Sequence, residues 1–421
     1  MILKNNYKIG IVGLGYVGFP LAIEFAKHFK TIGFDIDHSR IDELNLGFDR
    51  TLEVSSDNLH NSTLKFTFSQ SDLQDCNIYI ITVPTPIDKY NKPDLSHLIT
   101  ASQFVGELLN KGDIVIYEST VYPGCTEEDC VPVLEKYSNL KYNSEFYCGY
   151  SPERINPGDK INTLTKIKKV TSGSTPKIAS EIDLLYKTII VAGTHLAPSI
   201  KVAEASKAIE NAQRDINISF VNELALMFDK MGIDTHDVIE AAGTKWNFLK
   251  YSPGLVGGHC ISVDPYYLAH KAESLGYYPE VILSGRRVNS RMDKFVAGKA
   301  IKYMLQNGIN MTKSKVLILG VTFKENCPDI RNTKIVGVVN ELIDFGIDVD
   351  VCDPIANQNE VKEHLNITLI NNPEMNLYKL IILAVPHSVF MNDKKFNIES
   401  SSSIIFDVKS VLPRNKSVLR L

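Results

Sequence analysis

Two stretches of this 421-residue chain repeat one pattern of short, β-branched, apolar runs. Each stretch holds four runs, and helical segments separate most of them. Such runs are typical of strands buried on both faces of a parallel sheet, because helices cover both of its sides. The runs are Ile9–Val12, Thr31–Asp35, Ile78–Thr82 and Asp113–Tyr117, then Val316–Leu319, Asp348–Asp353, Leu380–Ala384 and Ser403–Asp407. The pattern predicts an α/β protein with two Rossmann-like, doubly wound parallel-sheet domains.

A long helical pattern lies between the two predicted sheets. Apolar residues spaced three or four apart from Val202 to Met227 indicate one face of a helix of about 30 residues, roughly 45 Å long. We expect this central helix to join the two sheet domains and to offer a surface for a homodimer or a larger homo-oligomer. A helix packed only on its own domain is the alternative. The predicted domains are 1–197, a helical dimerisation domain at 198–300, and 301–421.

The composition excludes several classes of partner. Lys and Arg number 45 against 49 Asp and Glu, which gives no electrostatic case for binding nucleic acid or an anionic membrane. The apolar runs are much shorter than the roughly 20 residues that a membrane span needs. The 7 cysteines lack CxxC spacing and fit reduced thiols better than disulfides or a zinc site. We expect a cytoplasmic protein without a metal, a nucleic-acid partner or membrane insertion.

A glycine-rich turn follows the first predicted strand. Its glycines would let the backbone approach a pyrophosphate at the start of the next helix. Asp35, at the tip of the second strand, is placed to accept ribose hydroxyls and would repel a 2′-phosphate, so NAD is favoured over NADP. Arg40 leaves two interpretations open, a phosphate partner or a solvated helix-face residue. The turn residues predicted to bind the cofactor are Gly13, Gly15, Tyr16, Val17 and Gly18.

Other strands of the predicted sheets end in polar loops. Thr85 and Thr120 each follow a strand of the first sheet, where ligands of open α/β sheets bind, so we expect both hydroxyls to meet the cofactor. The alternative is that these threonines and the prolines beside them are ordinary loop residues that bind no ligand. In the second sheet the corresponding turn, Gly320–Glu325, lacks the three glycines, and Lys324 with Arg331 would offer charge to a different phosphate.

Cys260 is the candidate nucleophile. Gly257 and Gly258 precede it closely and Asp264 follows four residues later, which favours an exposed, tightly turned thiol over a packed one. A cation such as Lys207 would be needed to activate it, since a free thiol has a pKa of about 8.5. A thiol combined with a nicotinamide site indicates oxidation of an alcohol to a carboxylate through a covalent thiohemiacetal.

Two further groups of polar residues leave alternatives open. Glu204, Lys207, Asn211 and Arg214 are spaced three or four apart and so share one helix face. This stripe either is solvated or lies in a ligand cleft. Glu153 and Arg154 are adjacent, and a solvated pair is the usual interpretation. Glu153 would serve as a base for water if it faced the thiol.

Taken in order along the chain, these segments resemble the UDP-glucose/GDP-mannose dehydrogenase family, and the resemblance covers essentially the whole chain. Four segments are similar to its bacterial UDP-N-acetylhexosamine 6-dehydrogenase branch: Ser151–Gly158, Gly243–Phe248, Val256–Cys260 and Gly285–Asn289. His259 before the thiol and the loop around Trp246 depart from the UDP-glucose branch, which supports a 2-acetamido sugar.

The resemblance implies an NAD domain, a central dimerisation domain and a C-terminal domain that binds the UDP part of UDP-N-acetylglucosamine or UDP-N-acetylgalactosamine. It also implies oxidation at C6 to a uronic acid for surface polysaccharide, with two NAD used per substrate. The implied catalytic residues are Cys260, Lys207, Asp264, Glu153, Asn211 and Thr120. The implied substrate-binding residues are Glu153, Arg154, Lys207, Asn211, Arg214, Tyr251, Gly257 and Lys324, and Lys324 and Arg40 also join the cofactor set.

Three competing functions predict different products. Oxidation of UDP-glucose or GDP-mannose would differ only in the sugar nucleotide preferred. A two-electron hydroxyacid dehydrogenase would form one NADH per substrate and would not need Cys260. A catalytically silent sensor of nucleotide sugars would show no turnover, although the presence of Cys260, Lys207 and Asp264 opposes it.

Overall fold

The structure is a computed structural model that describes residues 7–155, 161–258, 261–396, 398, 403–414 and 418–421. Its internal contacts divide the chain into two compact units, which we call unit 1 and unit 2. Unit 1 comprises Met1–Glu210 and Tyr266–Tyr277, and unit 2 comprises Asn211–Pro265 and Tyr278–Leu421.

Unit 1 is built on an eight-stranded sheet in the order β3-β2-β1-β4-β5-β6-β7-β8. Its strands are β1 (Lys8–Val12), β2 (Lys30–Phe34), β3 (Lys65–Thr67), β4 (Ile78–Ile81), β5 (Ile114–Tyr117), β6 (Tyr147–Tyr150), β7 (Lys169–Gly173) and β8 (Thr194–Leu196). Neighbouring strands are parallel except β6 and β7, which are antiparallel. The order of the first six strands is that of a dinucleotide-binding Rossmann sheet.

Helices surround this sheet because its central strands are apolar on both faces. Every residue of β4 and β5 is buried, and both strands consist of β-branched and aromatic residues. The helices of this part of the chain are α1 (Gly18–Ala26), α2 (His38–Asn45), α3 (Ser56–His60), α4 (Ser96–Gly106), α5 (Val131–Ser138) and α6 (Pro176–Lys187). Helix α6 begins at a proline, and the Thr175 side chain caps it by accepting the N–H of Ile178.

The long helix predicted between the sheets is α7 (Ile200–Met231), with 32 residues. Its polar stripe is largely buried, since Glu204, Lys207 and Asn211 are less than 10% exposed. Its apolar stripe is largely uncovered. The exposed apolar side chains of this stripe are Val202, Ile209, Phe220 and Met227. The buried face of α7 thus combines polar residues with small apolar ones such as Ala203, Ala208 and Ala225, while the large apolar side chains stay exposed.

Unit 2 is built on a five-stranded parallel sheet in the order β10-β9-β11-β12-β13. Its strands are β9 (Lys315–Leu319), β10 (Asp348–Cys352), β11 (Leu380–Leu383), β12 (Ile404–Asp407) and β13 (Val418–Arg420). The remaining helices are α8 (Thr235–Ala242), α9 (Asp264–Ser274), α10 (Glu280–Ser290), α11 (Met292–Gln306), α12 (Ile335–Asp344), α13 (Gln358–Leu365) and α14 (Ser388–Asn392). The unit boundaries fall within α7 and within α9.

The predicted fold class is confirmed, because both sets of runs form doubly wound sheets and α7 lies between them in the chain. The sequence analysis did not predict five of the strands, namely β3, β6, β7, β8 and β13. They are three to five residues long and their sequences mix polar and apolar residues. Short runs of this kind carry a weak periodic signal. The three-domain division stays a prediction.

Three further features concern the described residues only. Within the ranges given above, no helix combines the length and the apolar character that crossing a membrane requires. The same ranges hold no cluster of His, Cys, Asp and Glu suited to a metal ion. The cysteines described there are free and buried: Cys76, Cys125, Cys130, Cys148, Cys327 and Cys352.

The buried carboxyl of Asp113, just before β5, predicts a pH dependence of stability. Burial raises its pKa from 3.8 to about 6, although the N–H of Asn110 opposes the shift. The folded chain therefore binds more protons than the unfolded chain, and the free energy of unfolding falls as the pH rises through this window. We expect Asp113→Asn to remove this loss and to gain ~2 kcal/mol relative to the unmodified chain between about pH 4.5 and about pH 7.5.

Urea unfolding followed by circular dichroism at both pH values measures this difference. The matched control is Asp57→Asn, which changes an exposed carboxyl in α3 and should leave the pH dependence unaltered. An Asp113→Asn variant with the pH dependence of the unmodified chain would contradict the assignment.

Candidate active site

The turn between β1 and α1 has the geometry of a phosphate-binding turn. Gly13 has a φ of +98°, and its N–H donates to the carbonyl of Phe34 at 2.8 Å. A side chain at Gly18 would overlap the Gly13 carbonyl and the Thr82 hydroxyl, so only glycine lets α1 start this close to β1. A side chain at Gly15 would meet nothing within 4 Å. Gly18 thus serves the packing of the turn, and Gly15 borders the open space that a pyrophosphate would occupy.

Asp35 and Arg40 hold this turn from the protein side. The Asp35 carboxylate accepts the N–H groups of Leu14 at 2.8 Å and of Asp37 at 2.9 Å. The Arg40 guanidinium donates from Nε to the Leu14 carbonyl at 2.8 Å and from Nη2 to Asp49 at 2.8 Å. Arg40 is buried, so the interpretation as a solvated helix-face residue is wrong. Its hydrogen bonds make it a support of the turn.

The two threonine loops meet at the carboxyl edge of the first sheet, next to the same turn. The Thr85 hydroxyl donates to the Thr120 carbonyl at 2.7 Å, and the Ser119 hydroxyl donates to the Val83 carbonyl at 2.7 Å. The hydroxyl of Tyr267, on α9, donates to the Thr85 carbonyl at 2.9 Å. With the turn and Asp35, these loops present groups that fit a dinucleotide: an open glycine, a helix N-terminus and a ribose-facing carboxylate. Tyr16 and Val17, also of the turn, are partly buried.

Glu204 attaches the Ser119–Gly124 loop to α7. Its carboxylate accepts the N–H of Gly124 at 2.5 Å and the N–H of Thr126 at 2.9 Å. Burial raises the pKa of Glu204 to about 7, although these hydrogen bonds lower it. The loop that carries Thr120 is therefore fixed to a helix by a buried carboxyl group.

Glu153 and Arg154 do not form a solvated pair. Glu153 is buried, and its Oε1 accepts the N–H groups of Arg154 at 2.5 Å and of Ile155 at 2.6 Å. Its Oε2 lies 3.2 Å from Nζ of Lys169. The Arg154 guanidinium instead pairs with Glu210 at 2.7 Å. The solvated interpretation is wrong for Glu153, because a buried ammonium group is its partner.

Unit 2 brings together three of the predicted residues. Nδ2 of Asn211 donates to Oδ2 of Asp264 at 2.5 Å, and Nη1 of Arg214 lies 3.3 Å from Oδ1 of Asn211. Asp264 is the first residue of α9 and is buried, whereas Arg214 is exposed. Lys207, one helical turn before Asn211 on α7, is buried within unit 1. This arrangement orients a carboxylate that could hold a water molecule or receive a proton.

Cys260 and His259 lie outside the described residues, as do positions 156–158 of the Ser151–Gly158 segment. The segment before the thiol is fixed by Asn222 of α7. Nδ2 of Asn222 donates to the Gly254 carbonyl at 3.0 Å, and its Oδ1 accepts the Gly254 N–H at 2.8 Å. Asn222 also donates to Asn289 at 2.8 Å. Its amide thus pairs with the backbone as a second strand would.

The two glycines before the thiol are required by close packing. A side chain at Gly257 would lie 2.8 Å from the Asn332 carbonyl. Gly258 has a φ of +85°, and its carbonyl accepts Nδ2 of Asn332 at 3.2 Å and the Ser262 hydroxyl. The backbone is therefore fixed at Gly258, two residues before the thiol. Tyr251, predicted to bind substrate, is half-buried on the same segment.

A cavity opens at the carboxyl edge of the second sheet. Its charged lining residues are Lys324, Lys334 and Lys409 against a single carboxylate, Glu325. Burial lowers the pKa of Lys409, and Glu325 opposes that shift. An excess of cations in a concave site fits a diphosphate. Gly257, predicted to bind substrate, also lines this cavity.

Lys409 was missed by the sequence analysis. It follows β12 by two residues, and a polar residue just after a buried parallel strand is the signal that identified Thr85 and Thr120. Arg331 does not line the cavity with the lysines, and its guanidinium pairs with Asp329 at 2.5 Å.

A buried histidine holds the loop that carries Lys324. Nδ1 of His387 accepts the Asn326 N–H at 2.9 Å, so the ring proton resides on Nε2, which faces Asp353 at 3.0 Å. Asp353 in turn accepts the Val321 N–H at 2.7 Å. The loop between β9 and α12 is thereby fixed at its start and near its middle.

Gly15 and Gly18 offer a matched pair of substitutions. We expect Gly18→Ala to lower the free energy of unfolding by about 1–3 kcal/mol, because the new methyl group overlaps the Gly13 carbonyl. We expect Gly15→Ala to leave unfolding unchanged and to weaken NAD binding at least ~10-fold, because the methyl group would occupy the cofactor's approach. Thermal unfolding and calorimetric titration with NAD measure the two effects. A large loss of stability in Gly15→Ala, or its undiminished NAD binding, would contradict this division.

Comparisons with known proteins agree with this arrangement. The family models of the UDP-glucose/GDP-mannose dehydrogenase family match three consecutive parts of the chain: the NAD-binding domain at residues 7–190, the central domain at 201–291 and the UDP-binding domain at 317–414. The NAD-binding model covers the glycine-rich turn and the threonine loops. The UDP-binding model covers Lys324, Lys334 and Lys409.

Individual relatives extend over the full length. The UDP-N-acetyl-D-glucosamine 6-dehydrogenase of Pseudomonas aeruginosa is 56% identical and covers 99% of this chain and 100% of its own. The Salmonella typhi enzyme of the same name is 54% identical, with 99% of each chain covered. The solved structure of a UDP-D-ManNAc dehydrogenase from Pyrococcus horikoshii matches with a TM-score of 0.88 at 29% identity, over 98% of each chain. With all three domain models matched in order, this chain belongs to the UDP-glucose/GDP-mannose dehydrogenase family.

Proposed function

We propose that this protein is an NAD-dependent UDP-N-acetylhexosamine 6-dehydrogenase that prefers UDP-N-acetylglucosamine over its galacto epimer. It oxidises the C6 hydroxyl to a carboxylate and supplies a uronic acid for surface polysaccharide. The observation that carries the proposal is that two relatives more than half identical over their whole length are named for this activity. The cationic cavity supports a nucleotide diphosphate as the other part of the substrate.

The first oxidation needs a base for the C6 hydroxyl proton. Lys207 is the candidate because it is buried on α7. Asp264, whose carboxylate is fixed by Asn211, would hold a water that takes part in the proton transfer. When bound, NAD would supply the hydride acceptor for each oxidation, so two would be used per substrate. The residues that would hold NAD are Gly13, Gly15, Gly18, Asp35, Thr85 and Thr120. Arg40 would act by supporting the turn.

The second oxidation needs the Cys260 sulfur. Its thiolate adds to the C6 aldehyde to form a thiohemiacetal, which becomes a thioester after losing a hydride. Lys207 and Asn211 would stabilise the oxyanions. Glu153 would take a proton from the water that releases the carboxylate. The other residues that would bind the substrate are Lys324, Arg154, Arg214, Tyr251 and Gly257.

The uncovered stripe of α7 supports a homodimer. Four large apolar side chains along one helix face are exposed in the single chain. Exposed apolar patches of this length are typical of protein interfaces.

We place the enzyme in the cytoplasm, since its described cysteines are free and its proposed cofactor and substrate are nucleotides. The parts 1–197, 198–300 and 301–421 would bind NAD, dimerise and bind UDP, respectively.

The product ratio tests the proposed reaction. We expect two NADH per UDP-N-acetylglucosamine consumed, and a higher kcat/KM for this sugar than for UDP-N-acetylgalactosamine, UDP-glucose or GDP-mannose. Cys260→Ala should lower the formation of acid at least ~10³-fold, because the covalent route is lost. The control is Cys76→Ala, which removes a buried thiol of unit 1. This variant should still form two NADH per substrate. One NADH per substrate, or acid formation that survives without Cys260, would refute the four-electron mechanism.

Lys409 provides a test of the diphosphate site. We expect Lys409→Met to raise KM for the UDP-sugar roughly 10–100-fold with a much smaller change in kcat, because a charge-assisted hydrogen bond to phosphate contributes about 1.5–3 kcal/mol. Steady-state kinetics at saturating NAD measures the two constants. Lys302→Met, which removes an exposed lysine of α11, should change neither. An unaltered KM in Lys409→Met would remove this residue from the site.

A further inference from the structure

A buried ammonium group lies between two carboxylates in unit 1. Nζ of Lys169 is 2.6 Å from Oε2 of Glu118 and 3.2 Å from Oε2 of Glu153. The three side chains are 3%, 0% and 9% exposed, respectively. Removing charges from water is costly, and a buried pair is no better for stability than apolar packing. This cluster therefore calls for an explanation other than stability.

The antiparallel strand β7 explains how a lysine reaches this position. Glu118 directly follows β5, and Glu153 lies shortly after β6, so both stand at the carboxyl edge of the sheet. Because β7 is antiparallel to β6, its first residue, Lys169, lies at that same edge. The one reversal of direction in the sheet thus places a cation where the parallel strands end.

The carboxylate of Glu153 is held on both oxygens. Its Oε1 accepts two backbone N–H groups, those of Arg154 and Ile155, and Lys169 donates to its Oε2. A carboxylate has about four lone-pair positions. The contacts described above use three of them and leave one on Oε2. A base that takes a proton from water needs this arrangement, a fixed carboxylate with one accepting position left.

Glu118 holds Lys169 in turn. Its Oε1 accepts the hydroxyl of Tyr186, and Nζ of Lys169 lies 5.5 Å from the centre of the Tyr186 ring. Burial raises the pKa of Glu118 to about 7, with Lys169 opposing the shift. Glu118 and Tyr186 can therefore anchor the ammonium group while its charge serves Glu153.

We propose that Lys169 is a positioning residue for the last chemical step, in which it holds the Glu153 carboxylate aimed at the attacking water. This inference rests on the proposed function. In that step the water oxygen bonds to the thioester carbon and the carbon–sulfur bond breaks. One water proton passes to Oε2 of Glu153, and the Cys260 sulfur leaves as a thiolate. Lys169 touches neither substrate nor cofactor and acts only through Glu153.

Pre-steady-state kinetics distinguishes this role from a structural one. Both oxidations precede hydrolysis, so Lys169→Met should release two NADH per active site at close to the normal rate and then turn over ~10²-fold more slowly, since general-base catalysis contributes about 10²–10⁴-fold. The thioester should accumulate and be visible as an added mass on the intact chain. Lys169→Arg, which retains the charge, should restore part of the steady rate. Lys168→Met, an exposed neighbour, should behave as the unmodified chain.

A double variant keeps the inference testable if Lys169→Met folds poorly. Lys169→Met with Glu118→Gln removes one charge of each sign, so it should restore folding while Glu153 still lacks its ammonium partner. We expect the burst and the trapped thioester to persist in the folded double variant. Normal steady turnover in it, or equal losses in the burst and the steady phase, would overturn the proposal. Failure of the proposed function would instead show as missing NADH formation in the unmodified chain with every UDP-sugar.

Discussion

Parallel pairing places the ends of successive strands at one edge of each sheet, and the chemistry of both units depends on this constraint. In unit 1 the glycine-rich turn, Thr85 and Thr120 all follow parallel strands. In unit 2 the loops that carry Lys324 and Lys409 do so as well. Backbone N–H groups at these ends lack strand partners, so nearby carboxylates and hydroxyls accept them. Asp35 and Asp353 perform this task at equivalent places, one on the Leu14 N–H and the other on the Val321 N–H.

The buried charges of the chain argue for function over stability. Burying an ion costs several kcal/mol even when it is paired, and apolar replacement is often neutral. Lys169 with Glu118 and Arg286 with Asp215 are nevertheless fully buried pairs. The second pair belongs to a network in which Asn289 bonds to Asp215 and to Asn222, which holds Gly254. In both cases the far end of the network is a segment proposed to act in catalysis.

The sequence predicted those parts of the fold in which apolar runs are long. The β-branched runs predict β1, β2, β4 and β5 and most of the second sheet. Strands β6 and β7 mix polar and apolar residues, so they lack such a run and were not predicted. The place of Lys169 depends on the antiparallel direction of β7, which local sequence does not encode. The interpretation of Arg40 stayed open for a similar reason, because burial of its guanidinium depends on contacts with Asp49 and with the Leu14 carbonyl. Glu153 likewise has its partner 16 residues away.

Helix α7 shows how tertiary contacts decide which face of an amphipathic helix is buried. Its apolar stripe is regular enough to predict the helix, yet the large side chains of that stripe stay exposed, while polar and small apolar residues are buried. Three of the buried polar side chains have specific partners: Glu204 accepts the Gly124 and Thr126 N–H groups, Asn211 donates to Asp264, and Asn222 pairs with Gly254. These bonds offset the desolvation of the polar stripe. The large apolar side chains of the stripe stay exposed in the single chain, so their burial against a partner is the gain on which the proposed dimer depends.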